Sequence, residues 1–237
     1  MLDKKKLLER LEAGQEYRSI PITGIELRAD GENDLIAEGY ATTFNAPYEL
    51  YNYGDYIVLE QVDRHAFDSC DMTDVIFQYD HIGRVMARTR NKTLELSCDD
   101  HGLKIRAHLG GTEAGRQLYE EIKGGYTDRM SFRFRVGKSR REVVEEDHEH
   151  KVTTVLRTIE SISKLYDVSA VSIPANEATD ISARSAADGV IDGLREQERL
   201  GAENRQKREQ LQVEIRLLLT GAKSGRKESL KGETKNV

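Results

Sequence analysis

The chain has 237 residues, of which 36 are Lys or Arg and 42 are Asp or Glu, giving a formal net charge of -6. This acidic balance argues against nucleic-acid binding, which is usually accompanied by a basic excess. No apolar run approaches the roughly 18 residues that a membrane-spanning helix needs, so no membrane partner is expected. The length suits one domain of about 150 to 200 residues with additional segments.

Metal and cofactor chemistry is not predicted. Cys70 and Cys98 lack metal-ligand spacing and are expected to be reduced thiols of a cytosolic protein. His148 and His150 lie in the acidic stretch EEDHEH, which favours a solvated loop over a metal site. The sequence also contains no GxSxG, Walker A or HExxH motif.

The first part of the chain divides into a leader and a strand-rich domain. Residues 1–17 have helix-forming composition and are interpreted as an N-terminal leader, whereas short β-rich segments begin at Arg18. The stretch DDHG, between TLELSC and LKIRAHL, predicts a hairpin turn because Asp and Gly tolerate its dihedral angles. A helix is predicted over residues 112–124, with Thr112 as its cap and Gly124 at its end.

The second part predicts more strands and then a long helix. KVTTVLRTIESIS and YDVSAVSI are interpreted as two separate strands, and the strand-rich domain is placed at residues 18–184. Residues 185–237 are interpreted as a charged helical segment whose end, GAKSGRKESLKGETKNV, is disordered. The predicted fold class is α+β: a compact, closed or nearly closed β-barrel flanked by helices, with a long C-terminal helix and a disordered tail.

The stretch RMSFRF, residues 129–134, holds the first candidate for chemistry. In a strand, Ser131, Arg133 and Arg135 share one face, because successive side chains alternate across a strand. A serine hydroxyl becomes a useful nucleophile when a neighbouring base accepts its proton. The two arginines are expected to stabilise a developing oxyanion. The alternative is a small polar residue on the wet face of an edge strand.

His81 is the histidine best placed to act as that base. It follows the predicted strand VIFQYD and precedes a glycine, and loops at strand ends often present reactive groups on a rigid scaffold. His65 lies in a short predicted turn and is interpreted as structural. His101 and His108 lie in a predicted turn and strand without an evident partner.

Five stretches resemble, in order, the tailed-phage prohead (capsid maturation) proteases, relatives of the herpesvirus assemblin-type serine proteases. The stretches are GYATTFNAPYEL, YIVLEQVDRHAFDSC, VIFQYDHIGRVMART, LKIRAHLGGTEAGRQLYEEIKGGYTDRMSFRFRV and TIESISKLYDVSAVSIPANEATDISAR. They span roughly residues 18–184. The resemblance implies a serine endopeptidase that works in the host cytoplasm, inside the viral prohead. Its implied substrates are the scaffolding protein, or the scaffold segment of the major capsid protein, and the protease itself.

The resemblance also implies roles for individual residues. Ser131 matches the family's nucleophile and His81 its histidine, while the acid that orients His81 is either Asp167 or Glu160. Asp167 is favoured because a carboxylate precedes the Val-Ser pair in the family. Two positions depart from the pattern. Arg133 replaces a small residue, and His65 stands where the family often has glycine, which argues against a catalytic role for His65.

Two further interpretations remain open at this stage. One is a non-enzymatic structural barrel of a phage assembly, since a fold alone does not fix function. The other, compatible with proteolysis, is a scaffold-binding module that acts through a loose apolar stripe over residues 192–219. Self-association is also compatible with the sequence. If the chain is a protease, we expect it to remove its own C-terminal segment, which contributes little to the core.

Overall fold

A computed structural model describes residues 13–21, 26–29, 34–172 and 177–229. Strands dominate this part of the chain, and two α-helices accompany them. In chain order the elements are β1 (Gln15–Pro21), β2 (Glu26–Ala29), β3 (Leu35–Thr43), β4 (Tyr48–Asn52), β5 (Tyr56–Val62), β6 (Ile76–Tyr79), β7 (Ile82–Arg88), β8 (Leu94–Cys98), β9 (Gly102–His108), α1 (Glu113–Lys123), β10 (Arg129–Asp147), β11 (Val152–Val171) and α2 (Glu177–Ser229).

The strands form two sheets. The larger sheet has seven strands in the order β1-β10-β11-β5-β4, with β6 joined to β11 and β7 joined to β6. Because β11 has 20 residues, it pairs in parallel with β5 along its first half and with β6 along its second half. The smaller sheet has the order β2-β3-β9-β8. The predicted α+β class and long C-terminal helix are confirmed. A closed barrel is not confirmed, since the described strands pair as two open sheets.

The alternation predicted for β10 positions the core. Met130, Phe132 and Phe134 are at most 1% exposed and pack into the main hydrophobic cluster, on the face opposite Ser131. Burying three such side chains contributes about 1.5 to 3 kcal/mol each relative to exposure. Ser131 is also fully buried, because β1 pairs along the outer edge of β10. The alternative of a wet-face serine is therefore wrong.

Two local predictions are confirmed. Strands β8 and β9 form the predicted antiparallel hairpin around DDHG. Helix α1 begins after Thr112, whose side chain accepts a hydrogen bond from the Gly115 N–H, and is followed by Gly124 at its C-cap. Such a cap satisfies one of the N–H groups that the first helical turn leaves without a partner.

Three predicted boundaries differ in the structure. The polar stretch GKSRREVVEEDHEH, whose composition predicts a hairpin tip, instead continues as strand to Asp147, because a long antiparallel ribbon with β11 satisfies its backbone groups without a core. The two strands predicted after it are one strand, β11. At the N-terminus, Gln15–Pro21 form β1, so the strand begins inside the predicted leader, while residues 1–12 of that leader lie outside the described residues.

The chain divides into two compact units, Met1–Val190 and Ile191–Val237. In the first, the beginning of α2 buries Ala187 and Val190, and the Tyr53 hydroxyl donates to Asp188 Oδ1 at 2.5 Å. In the second, the helix reaches Ser229, so residues 221–229 are helical rather than disordered as predicted, and residues 230–237 lie outside the described part. Among the described helices, none is long and apolar enough to cross a membrane.

Candidate active site

A two-residue turn between β6 and β7 presents His81. Asp80 and His81 have φ angles of +49° and +59°, and Tyr79 pairs with Ile82 across the turn. Tight hairpin turns of this kind require positive φ at both central positions, which Asn and Gly usually occupy. The Asp80 N–H donates to the carbonyl of Ala170 at 3.0 Å and thereby fixes the turn to β11. A histidine held in this uncommon conformation is an indication of function.

The strand register brings the other two polar groups under that turn. On β10 and β11, Ser131 lies opposite Ser169, and Arg133 lies opposite Asp167. All four side chains therefore share one face of the sheet. Because β6 pairs with the same end of β11, the turn that follows β6 lies beside Asp167 and Ser169.

Ser131, His81 and Asp167 form a continuous hydrogen-bonded chain. His81 Nε2 lies 2.6 Å from Ser131 Oγ, and His81 Nδ1 lies 2.5 Å from Asp167 Oδ1. Ser131 and Asp167 have no exposed surface, and His81 is 3% exposed. The structure thus brings together the three residues that the sequence favoured. A carboxylate on Nδ1 leaves Nε2 free to accept the serine proton.

Asp167 is held by two further groups. Arg133 Nε donates to its Oδ2 at 2.6 Å, and the Ser169 hydroxyl donates to Oδ1 at 3.2 Å. Burial alone would raise the pKa of Asp167, but the attraction of His81 and Arg133 and their hydrogen bonds outweigh it and hold the pKa below its usual value. Asp167 is therefore an ionised carboxylate at neutral pH.

The two arginines do not occupy the predicted oxyanion position. Arg133 is engaged by Asp167, and Arg135 is exposed and donates to the carbonyl of Ala13 at 2.9 Å. In the described part of the chain, Ser131 Oγ lies 2.6 Å from His81 Nε2 and 2.7 Å from the Arg18 carbonyl oxygen, and its single proton can be donated to only one of these two acceptors at a time. The sequence predicted correctly that Arg133 shares a face with Ser131. It did not predict that Asp167 would be the partner of Arg133, because this depends on the register between β10 and β11.

Glu160, the alternative orienting acid, lies elsewhere on β11. Its side chain is 25% exposed and pairs with Lys138 at 2.8 Å and Arg140 at 3.4 Å. It is therefore a surface ion-pair partner rather than a neighbour of His81.

The other histidines also lie outside the site. His65 is 68% exposed beside Asp68, and His148 and His150 pair with acidic residues at the exposed end of the β10–β11 ribbon. His101 packs edge-on against Tyr40, and His108 lies near Asp34 and Glu95. Within the described residues, no cluster of three or more metal-ligating side chains occurs.

Strand β1 completes the site, and sequence reasoning missed it. The Tyr17 ring meets His81 edge-on with centroids 5.1 Å apart, and the Arg18 carbonyl oxygen lies 2.7 Å from Ser131 Oγ. The sequence predicts β-rich segments only from Arg18 onward and so places Gln15, Glu16 and Tyr17 in the leader. The pairing of β1 with a strand more than a hundred residues later is a non-local contact that the local pattern does not specify.

Serine, histidine and carboxylate in this order are the arrangement of the serine hydrolases that transfer acyl groups. The model of one family, described as caudovirus prohead serine protease, matches residues 23–190. The chain belongs to this family, and the resemblance seen in the sequence is confirmed. At the level of the family it is a serine protease of phage capsid maturation.

Among solved structures, the chain is similar to the bacteriophage T4 capsid assembly protease, gp21. The two share 12% identity over 66% of this chain and 96% of that chain, with a TM-score of 0.38. A search of curated proteins gave no match.

Proposed function

We propose that the protein is an active serine endopeptidase of capsid maturation, with Ser131 as nucleophile, His81 as general base and acid, and Asp167 as the orienting carboxylate. The observation that carries this proposal is the unbroken hydrogen-bonded chain from Ser131 through His81 to Asp167 in a member of this family. We place the protease domain at residues 18–184, close to the family match.

The proposed reaction is acyl transfer in two halves. Ser131 Oγ attacks a peptide carbonyl carbon while His81 Nε2 accepts its proton. His81 then gives the proton to the departing amine, which leaves an ester on Ser131. Water adds to that ester with its proton again taken by His81, and the serine hydroxyl is restored. Neither half needs a metal or a cofactor.

Asp167 supports these proton transfers by holding the imidazole of His81 in place. Its contact with Nδ1 selects the tautomer in which Nε2 faces Ser131, and its negative charge stabilises the imidazolium formed during the attack. Arg133 and Ser169 hold the carboxylate in that orientation. Preorganised groups of this kind add to the rate because they need no rearrangement when charge develops.

The proposed substrates are the scaffolding protein, or the scaffold segment of the major capsid protein, inside the prohead in the host cytoplasm, and the chain itself. Membership of a prohead protease family supports this choice. The non-enzymatic alternative would require that the aligned triad serve only to pack the sheet. Buried ion pairs often add little net stability, so a purely structural role gives a weak explanation for this arrangement.

The test is cleavage of the phage's own capsid precursors. We expect wild-type protein to cut scaffold at defined bonds, Ser131→Ala to leave it intact, and the exposed control Ser97→Ala to cut as wild type does. Folding of each variant is checked by circular dichroism and thermal unfolding. Scaffold that stays whole with well-folded wild-type protein, or is cut equally by Ser131→Ala, contradicts the proposal.

A further inference from the structure

The second half of strand β10, residues 136–147, has a free outer edge among the described strands. On one side, β10 pairs with β11 from Arg129 to Asp147. On the other side, β1 pairs with residues 129–135 only, and no other described strand continues along β10. The backbone N–H and C=O groups that point away from β11 along such an edge are a template for one more strand.

The residues of this edge are open to solvent. Residues 137–146 are all exposed, whereas the neighbouring part of β11, which has β10 on one side and β5 on the other, buries Val155 and Ile159 completely. Val143 and Val144, in the middle of the exposed stretch, are 44% and 50% exposed. β-Branched side chains are stabilised by contacts across a strand pair, so two adjacent valines on a free edge favour the addition of a strand.

The charges along the edge fall into two halves of opposite sign. The residues before the two valines are mainly basic and those after them are acidic: Lys138, Arg140, Arg141, Glu145, Glu146 and Asp147. Charged side chains on an edge often serve to prevent strand pairing, and a run of one sign would repel a second copy. An edge with opposite halves instead attracts a copy of itself that runs antiparallel, because each basic half then lies opposite an acidic half.

The basic half keeps an excess of positive charge even with its contacts within the chain. Lys138 and Arg140 share one acid, Glu160, at 2.8 and 3.4 Å. Arg140 also contacts Glu142 at 3.2 Å. Arg141 donates to a neutral backbone carbonyl of α2 at 3.1 Å. Three cations therefore lie beside two carboxylates, and a further acidic segment would complete the pairing.

The acidic half has a larger excess of its own sign. Glu146 and Asp147 contact His148 and His150, at 3.8 and 2.8 Å, and a histidine carries a full positive charge only when protonated. Within the described residues, Glu145 takes part in no ion pair within 4 Å. The acidic half can therefore accept the cations of a second basic half.

Symmetry restricts how two such edges can meet. In an antiparallel pair, hydrogen-bonded and non-hydrogen-bonded residue pairs alternate, so a two-fold axis through the pair passes between a residue and its own copy. With the axis at Val143, the segment 140–141 lies opposite the segment 145–146 of the copy. With the axis at Glu142, two like charges would meet. The strand register shifts between Val143 and Glu145, but a bulge of one residue still leaves the basic half opposite the acidic half.

We propose that the outer edge of β10 over residues 136–147 pairs antiparallel with the same edge of a second copy of this chain, in a two-fold dimer centred near Val143. Backbone hydrogen bonds and the valines supply attraction, and the opposite charges select the antiparallel alignment. The two larger sheets become one continuous sheet. Ser131 lies twelve residues along β10 from the axis, so the two triads are up to roughly 80 Å apart and each stays complete. The dimer therefore does not depend on the proposed function.

The first experiment measures association of the full-length chain by sedimentation equilibrium. We expect the wild type to show a monomer–dimer equilibrium. Arg140→Glu with Arg141→Glu makes both halves acidic and should raise the dissociation constant about 10-fold or more, because attraction across the pair becomes repulsion. The control, Arg64→Glu with Arg90→Glu, changes the net charge equally at exposed positions elsewhere and should dimerise as the wild type does. A monomeric wild type, or a dimer that the edge reversal leaves unchanged, overturns the inference.

The second experiment mixes two variants that should each fail to self-associate. Glu145→Lys with Glu146→Lys makes both halves basic, so it should dissociate as the acidic variant does. In an equal mixture the two variants should form a heterodimer, because an acidic edge then meets a basic one. Circular dichroism of each variant shows that it is folded. Two folded variants that stay monomeric in the mixture contradict the pairing of these edges.

The third experiment locates the axis without changing a charge on the edge. Val143→Cys, in a Cys98→Ser background that removes the exposed native thiol, should form a covalent dimer under mild oxidation. Residues directly opposite each other in an antiparallel pair have Cβ atoms about 4.5 to 5.5 Å apart, close to the range of a disulfide. Glu95→Cys in the same background, on the outer strand of the smaller sheet, is the control and should stay monomeric. Equal cross-linking at the two positions, or none at residue 143, refutes the proposed edge.

Discussion

At the scale of single residues, the site depends on how one buried carboxylate is held. Asp167 contacts His81 on one oxygen and Arg133 on the other, and Ser169 adds a third hydrogen bond. Since buried charges are stable only when paired, each partner that is removed should affect both the ionisation of Asp167 and the orientation of His81.

Replacing the carboxylate by its amide tests the orienting role. We expect Asp167→Asn to lower kcat on scaffold by about 10⁴-fold, because the amide no longer selects the correct imidazole tautomer. Glu160→Gln should be close to wild type, since Glu160 pairs with Lys138 and Arg140. A reversed outcome, with Glu160→Gln inactive and Asp167→Asn active, would transfer the role to Glu160.

Removing Arg133 tests how Asp167 is kept ionised. Without this cation the pKa of Asp167 should rise, so the acid limb of the kcat profile should move to higher pH, with kcat lowered about 10-fold. Arg135→Ala is the matched control, because Arg135 is exposed and contacts the carbonyl of Ala13. A 10²-fold loss without a shift of the acid limb would indicate an oxyanion role for Arg133 instead.

At the scale of elements, the long strand β11 organises the site. It pairs with β10, which carries Ser131, and with β6, which leads into the turn that carries His81. Helix α1 lies between β9 and β10 in the chain. Its backbone at Gly115 packs closely against the backbone of Leu109. A side chain at Gly115 would place Cβ 2.2 Å from the carbonyl oxygen of Leu109.

That close approach gives a stability prediction with a helical control. Gly115→Ala should lower the free energy of unfolding by about 1 to 3 kcal/mol, because backbone must move to admit the methyl group. Gly189→Ala in α2 meets nothing within 4 Å and should raise it by about 0.5 to 1 kcal/mol. Urea unfolding of the three proteins measures both. Equal stabilisation by the two substitutions would show that α1 can shift away from Leu109.

Local patterns were sufficient to predict part of the site and part of the fold. Alternation in RMSFRF and the position of His81 after a strand made two of the three polar groups candidates, and the resemblance to the family assigned them catalytic roles. Capping and turn residues located α1 and the β8–β9 hairpin. The choice between Asp167 and Glu160 needed the register with β10 and the parallel pairing with β6. The role of β1 needed a pairing between distant segments, which no local spacing specifies.

At the scale of the whole molecule, a network of buried charges attaches β1 to the rest of the larger sheet. Glu16 and Arg18 from β1 meet Glu60 from β5 and Arg157 from β11. Burial would raise the pKa of Glu16, but the attraction of Arg18 and the hydrogen bonds from Arg157 lower it from 4.5 to about 2.

This lowered pKa predicts how stability depends on pH. A carboxyl whose pKa is depressed by folding stabilises the folded chain above its ordinary pKa, and the effect is lost as pH falls through the folded value. Stability should therefore fall from about pH 4.5 towards pH 2. In Glu16→Gln the loss of stability between about pH 4.5 and pH 2 should be smaller than in the wild type. In the exposed control Glu95→Gln this loss should be the same as in the wild type. Urea titrations at several pH values measure it, and identical curves for Glu16→Gln and wild type would contradict the assignment.

The C-terminal unit gives a second prediction at this scale. Its helix exposes apolar side chains, among them Leu200, Leu211 and Ile215, at 45%, 57% and 51%. Segments that contribute little to a core open readily and are common cleavage sites. We expect wild-type preparations to lose a C-terminal piece over time while Ser131→Ala keeps all 237 residues, as seen by intact mass. A whole C-terminus in a preparation that cuts scaffold would indicate a permanent docking helix.

The central claim, that Ser131 is the activated nucleophile of this protease, is tested most directly by a serine-directed fluorophosphonate. In a preparation that cuts scaffold, we predict a single adduct that maps to Ser131, no adduct in Ser131→Ala and a greatly slowed reaction in His81→Ala. An adduct on another serine, or continued cutting of scaffold with Ser131 unmodified by an excess of the reagent, would contradict the claim.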